Sequence, residues 1–248
     1  MVILKTARQI EQMRQAGRIV AEVLALMTEL VKPGVKTRAL DTAAHELIIK
    51  AKALPSFKGY RGYPASICTS VNEEIVHGIP SERVLQEGDI VSVDVGVIYH
   101  GFQGDAAVTL GAGQISPAAQ RLLDVTRTAL ERGIAAARSG SRLGDISWAI
   151  QSYADSAGFA AVREYTGHGI GRRMHEEPQI FNFGVPGQGL LLRPGMTLAL
   201  EPMVNSGDWR TRVLEDNWTV VSLDQSLSAH FEHTIAIMDG KPLILTQL

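Results

Sequence analysis

Two distant stretches share one plan, and this limits what the chain can fold into more than any local propensity does. In "EGDIVSVDVG" Gly88 precedes an apolar, strand-like run and Asp94 follows six residues later; in "RPGMTLALEP" Gly195 and Glu201 repeat the spacing at an offset of 107. Upstream, Gly34 aligns with Gly140, Leu40 with Ile146, Ala43 with Ala149, Ile19 with Val125 and Leu24 with Leu130, at an offset of 106. Self-similarity at a fixed period marks a duplicated unit. Each half reads helix, helix, then a strand that carries a carboxylate, and no linker separates them. The expected architecture is α+β: a single domain over 1–248 built from two pseudo-repeats, about 6–112 and 116–245. A curved, mainly antiparallel sheet would carry helices on its outer face and a site where the halves meet.

Local signals agree with this order. Thr6 and Gln9 form a capping box, and apolar residues from Ile10 to Met27 recur at helical spacing until "KPG" stops them. A second helix begins near Thr37, a third opens at Ser116-Pro117 and ends near Gly140, and "LGDISWAIQSYADSAG" reads as a fourth. "SICTSV", "MTLALEPMV", "WTVV" and "HTIAIM" read as strands.

The stretch "SVDVGVIYHGFQGDAAVTL" reads as a hairpin with aspartates inside its apolar runs. A symmetric hairpin centred between Tyr99 and His100 would set Asp94 directly opposite Asp105, with Cβ atoms roughly 5 Å apart, where like charges repel. Glu201 ends the run "MTLAL" and Glu232 begins "HTIAIM", so four carboxylates face inward from strands. Buried ionised carboxylates cost several kcal/mol each unless paired, and no lysine or arginine alternates with them. Singly, each reads as a strand-end residue facing water. Four together call for a divalent cation.

His168, in "TGHGIGR", is the matching nitrogen donor, with flanking glycines that let the backbone approach closely. Carboxylate plus imidazole selects manganese, iron, cobalt or zinc over magnesium or calcium. Gly167, Gly169 and Arg172 do not fit the G-x-G-x-x-G pattern of a phosphate loop. His77 in "VHGIP" and His175 in "MHEEP" lie in marked loops. His45 and His100 read as structural or solvent-facing. His230 and His233 flank Glu232 but are not taken as ligands; strand alternation turns His233 to the opposite face.

With 24 basic against 26 acidic residues, nothing global draws the chain to nucleic acid or a membrane surface. Cys68 is the single cysteine, which excludes an internal disulfide and a cysteine-based zinc module and suits a reducing compartment. The expected location is the cytoplasm.

The motifs "NEEIVHGIP", "DVGVIYHGFQGD", "GHGIGRRMHEEP", "PGMTLALEPMVN" and "SAHFEHTIAI", with Asp94, Asp105, His168, Glu201 and Glu232 in order, resemble type I methionine aminopeptidases from roughly Thr6 to Leu245. The resemblance implies the pita-bread fold. Glu201 and Glu232 stand 31 residues apart, too close for the helical insertion of type II enzymes. The zinc-finger extension of eukaryotic type I enzymes and the N-terminal domain of prolidases are not expected either, which leaves the short bacterial form.

The resemblance further implies two divalent ions (cobalt, manganese, iron or zinc), one held by Asp94 and the other by His168 and Glu201, with Asp105 and Glu232 bridging. A metal-bound hydroxide would attack the first peptide bond, with Glu201 as proton shuttle, His175 donating to the scissile carbonyl and His77 contacting the amide. Tyr60, Tyr63, Cys68, Met174 and Trp218 would form the methionine pocket, with Phe57 where some relatives carry cysteine and Met174 where some carry phenylalanine. A monovalent cation is implied near Asn72 and Ser228. The expected substrates are N-termini of nascent polypeptides with a small second residue, cleaved by a monomer; ribosome contact stays open. A non-catalytic binding protein and a prolidase-like dipeptidase are the competing readings.

Overall fold

The computed structural model describes residues 2–248. Among them, four α-helices flank short antiparallel sheets: α1 Ala7–Leu30, α2 Thr37–Lys50, α3 Pro117–Ala136 and α4 Leu143–Ser156. No helix is long and apolar enough to cross a membrane. Helix α1 begins where expected, with the Thr6 hydroxyl accepting from the Gln9 amide and the Gln9 side chain accepting from the Thr6 amide. Its buried stripe, Ile10, Met13, Val20, Val23 and Met27, follows the 3.6-residue period. Ser116 caps α3 through the Ala119 amide at 3.1 Å, and Pro117 fills the first turn, where a missing N–H does no harm.

In the first half, the strand Ile90–Tyr99 is central and pairs antiparallel with Phe102–Gly111 on one side and with Ile67–Val71 and Leu54–Pro55 on the other. In the second half, Thr197–Leu200 lies between His233–Ala236 and Thr166–Gly169, with Glu176–Phe181 and Leu243–Ile244 at the edges. Side-chain alternation gives each sheet two faces. Val91, Val93, Val95 and Val97 pack under α1 and α2 with Val20, Met27, Leu40 and Ile48. Leu198, Leu200 and Ile235 pack under α3 and α4 with Leu122, Leu130, Ile146 and Ile150. A third cluster, including Phe57, Tyr63, Cys68, Phe102 and Met174, also takes in Ile10 and Met13 from the start of α1.

The halves join along a seam. Ala107 and Glu232 exchange backbone hydrogen bonds of 2.9 and 3.4 Å. Next to them the Thr234 hydroxyl donates to the Asp105 carbonyl at 2.7 Å and accepts from the Asp105 amide at 3.1 Å. Thr109 does the same for His230, at 2.8 Å in both directions.

The expected hairpin register is corrected by two residues. His100 and Gly101 both take left-handed backbone, with φ of 49° and 76°, the two-residue turn whose twist matches that of the strands. Tyr99 therefore pairs with Phe102, Asp94 with Ala107 and Gly96 with Asp105. The aspartates share a face but sit diagonally, not directly opposite. The run "MTLALEPMV" is also two strands, Thr197–Leu200 and Met203–Asn205, because Pro202 has no N–H to give a ladder.

Candidate metal centre

Asp94 and Asp105 reach the inner side by the same strand parity that sends the valines outward, and Glu201 and Glu232 join them from strand ends. Asp94 and Asp105 come from the faces opposite Val93 and Ala106, Glu201 continues the face of Ala199, and Glu232 stands in the two-residue break between Ser228–His230 and His233–Ala236. Asp105 and Glu232 are 4% and 2% exposed. His168, buried on the strand Thr166–Gly169, points Nε2 at the group, 3.5 Å from Glu201 Oε1 and 3.9 Å from Asp105 Oδ2. Its Nδ1 lies 2.9 Å from the Gly169 carbonyl, so the proton sits on Nδ1 and the Nε2 lone pair faces the carboxylates.

The electrostatics of this cluster are unfavourable as it stands. Burial lifts Asp94 to about 7. Burial and the neighbouring carboxylates push Asp105, Glu201 and Glu232 well above the ordinary carboxylate range. Burial lowers His168 to about 3, His77 to about 4 and His230 to about 3. Among the described residues, Asp94 Oδ1, Asp105 Oδ1 and Glu232 Oε1 are buried with no hydrogen-bond partner. Donor atoms of Asp105, His168 and Glu232 all lie within 4.8 Å of one another. Orphaned anionic oxygens around a neutral imidazole fit a divalent cation, since first-row ions take such donors at about 2.0–2.2 Å.

The cluster forms the floor of a cavity of about 170 Å³. Its walls bring together Phe57, Tyr60, Tyr63, Cys68, His77, His175 and Trp218 from the sequence expectations. Tyr63 and Trp218 meet edge to face at 5.0 Å, and His77 lies edge-on to Trp218 at 6.3 Å. His175 stands nearer the mouth, its Nδ1 2.8 Å from the Tyr60 hydroxyl and its ring 4.3 Å from that of His168. Partial burial and then Arg61 hold its pKa down. Cys68 pairs across the sheet with Asp94, and burial raises its thiol well above the usual value.

Met174 does not line the cavity. It is buried next to the wall residue Phe57, both against Gly96, where an added Cβ would fall 2.8 Å from Met174 Cε and 2.6 Å from Phe57 Cε1. Asn72 and Ser228 are neighbours, the Ser228 amide donating to the Asn72 carbonyl at 2.9 Å. His45 bonds Ser66, His100 is exposed in the turn, and His233 turns away to Thr246. Two residues at the site were not picked out from sequence. Arg61 lines the mouth, its guanidinium 5.4 Å from the Tyr60 ring centre. His230 is fully buried against Glu201 and Glu232, and its parity with Glu232, two residues on, was the available signal.

Comparison with known proteins identifies the family and the fold. The sequence model of metallopeptidase family M24 matches residues 11–239. A methionine aminopeptidase of Clostridium acetobutylicum is 53% identical over 99% of both chains, and methionine aminopeptidase 1 of Bacillus subtilis is 50% identical over 100% of both. The crystal structure of a methionine aminopeptidase from Thermotoga maritima superposes with a TM-score of 0.99 at 49% identity, covering 100% of both chains. The pita-bread expectation therefore holds. On its sequence, its architecture and the cluster at its centre, the chain belongs to metallopeptidase family M24.

Proposed function

We propose that this protein is a methionine aminopeptidase, removing the initiator methionine from polypeptides whose second residue is small. The observation that carries the reading is the convergence of Asp94, Asp105, His168, Glu201 and Glu232 on the floor of one small aromatic-walled cavity. Pockets for drug-sized ligands span roughly 300–1,000 Å³. A cavity of about 170 Å³ is of the size of one terminal residue. The names carried by relatives at 50–53% identity support methionine as that residue.

Asp94, Asp105, His168, Glu201 and Glu232 would hold two divalent ions, of manganese, iron, cobalt or zinc. Such ions supply the charge that keeps these carboxylates ionised and lower the pKa of a water to about 7. Glu201, at the floor of the cavity beside the other carboxylates, takes the proton of the attacking water and returns it to the leaving amine. His175 Nδ1 lies 2.8 Å from the Tyr60 hydroxyl, and the tautomer in which Nδ1 accepts from it leaves Nε2–H for the scissile carbonyl. His77 contacts the adjoining amide, and losing either donor raises the barrier by about 2.7–4 kcal/mol. Tyr63, Trp218, Cys68 and Phe57 hold the methionine side chain, where thioether–aromatic contacts are favourable; Met174 supports them from behind. We place the enzyme in the cytoplasm, working as a monomer on nascent chains.

Protein loaded with manganese or cobalt is expected to release methionine from Met-Ala-Ser, and Glu201→Gln to lower kcat by about 10²–10⁴. An intact peptide would overturn the reading. Cleavage of X-Pro dipeptides alone would indicate a dipeptidase, and the lack of stoichiometric metal a binding protein.

A further inference from the structure

Beside the proposed ligands lies a histidine that the mechanism above does not use. His230 is 1% exposed, and among the described residues neither ring nitrogen has a hydrogen-bond partner. Leaving both poles of a buried imidazole unpaired is unfavourable, and such groups call for an explanation. The ring cannot retreat by sliding the backbone, because Thr109 clamps the His230 amide and carbonyl at 2.8 Å each. It is held with Nε2 3.9 Å from Glu201 Oε2 and 3.9 Å from Glu232 Oε2.

The two carboxylate oxygens of Glu201 are thus divided between two imidazoles. Oε1 faces His168, whose Nδ1 bond to the Gly169 carbonyl leaves Nε2 a lone pair suited to a cation. Oε2 faces His230, where no bond at Nδ1 enforces that tautomer. Facing two carboxylate oxygens, Nε2 of His230 is better placed carrying a proton than a lone pair, since acceptor against acceptor repels. The 3.9 Å gaps exceed a hydrogen bond, so the contact between the ring and the two carboxylates is electrostatic.

We propose that His230 is a positioning residue of the metal centre: its Nε2–H holds Glu201, and with it Glu232, in the orientation that receives the ion. The assignment rests on the reading that these carboxylates bind divalent metal. It gives the two imidazoles different duties, His168 as ligand and His230 as outer donor. Outer partners of this kind change metal affinity by about 10–100-fold.

The test compares wild type, His230→Leu and His230→Gln in manganese titration calorimetry, with melting of the metal-stripped chains as a second readout. Leucine is expected to weaken manganese binding about 10–100-fold while leaving the stripped melting temperature unchanged or higher, because an unpartnered polar ring is replaced by apolar volume. Glutamine, which offers an N–H donor without an imidazole, is expected to restore most of the affinity and of kcat. His230→Met is the second apolar variant should leucine not fold. Manganese binding by the apolar variant as tight as wild type would overturn the proposal, as would glutamine as weak as leucine, or affinity lost only together with stability. Wild type that binds no manganese would instead sink the metal reading itself.

Discussion

Glu176 follows directly on His175 and is buried against Lys5, whose Nζ lies 2.6 Å from Oε2; Glu176 Oε1 accepts from the Arg173 amide at 3.2 Å. The pair ties the N-terminal strap to the loop that carries His175 and Met174, and the Lys5 amide bonds the Gly195 carbonyl at 2.7 Å. Removing one partner of a buried pair leaves an uncompensated charge, whereas replacing both is nearly neutral. Lys5→Met is therefore expected to lose about 3–5 kcal/mol in urea unfolding and to lower kcat through the displaced loop. Lys5→Met with Glu176→Leu should recover most of the stability; a double variant as unstable as the single one would refute this. The pair was not legible in the sequence, because 171 positions separate its members and nothing local links them. The carboxylates were legible, since Asp94 and Asp105 sit where strand periodicity calls for an apolar residue and Glu201 and Glu232 border apolar strands. His230 escaped only because a histidine beside a strand end is ordinary until its neighbours are known.

Helix α1 crosses the strand Phe102–Gly111 at two glycines. A Cβ on Gly104 would fall 2.7 Å from the Gly17 nitrogen, and one on Gly17 would fall 2.3 Å from the Leu245 carbonyl oxygen. Both contacts are with backbone, which cannot rotate aside. Gly104→Ala is expected to push α1 off the sheet and to cost about 1–3 kcal/mol, read as a lower melting temperature; an unchanged value would show that the crossing tolerates a methyl group. The helices themselves were legible because their caps and stops are local, as Thr6, Ser116 and Pro117 show. The hairpin register was not, because it turns on whether His100 joins Gly101 in left-handed backbone. Histidine is one of the few residues that does so with any frequency, so the two-residue slip is a failure of turn chemistry and not of periodicity.

At the scale of the molecule, the centre governs how stability responds to pH. In the metal-stripped chain the raised carboxylates bind more protons folded than unfolded, so their contribution falls as pH rises toward their folded pKa values. The buried histidines act in the opposite sense, but only between their lowered values and about 6.5, the ordinary imidazole value. Between pH 6.5 and 8 the carboxylates alone set the sign. The stripped protein should therefore melt at a lower temperature at pH 8 than at pH 6.5, and saturating manganese should abolish that slope; scanning calorimetry with and without metal checks it. That α1 and α2, and again α3 and α4, precede strands with acidic residues in or beside them was readable from sequence at the level of spacing. How the halves meet was not, because the seam is made of backbone bonds and threonine hydroxyls that carry no composition signal. That seam has one more effect. Asp105 and Glu232 are seated by adjacent rungs of it, and a one-residue slip would turn every side chain of a strand to the other face. Competence for the ion is thus inherited whole or lost whole when the two halves zip together, so that assembly of the fold also proofreads the catalyst.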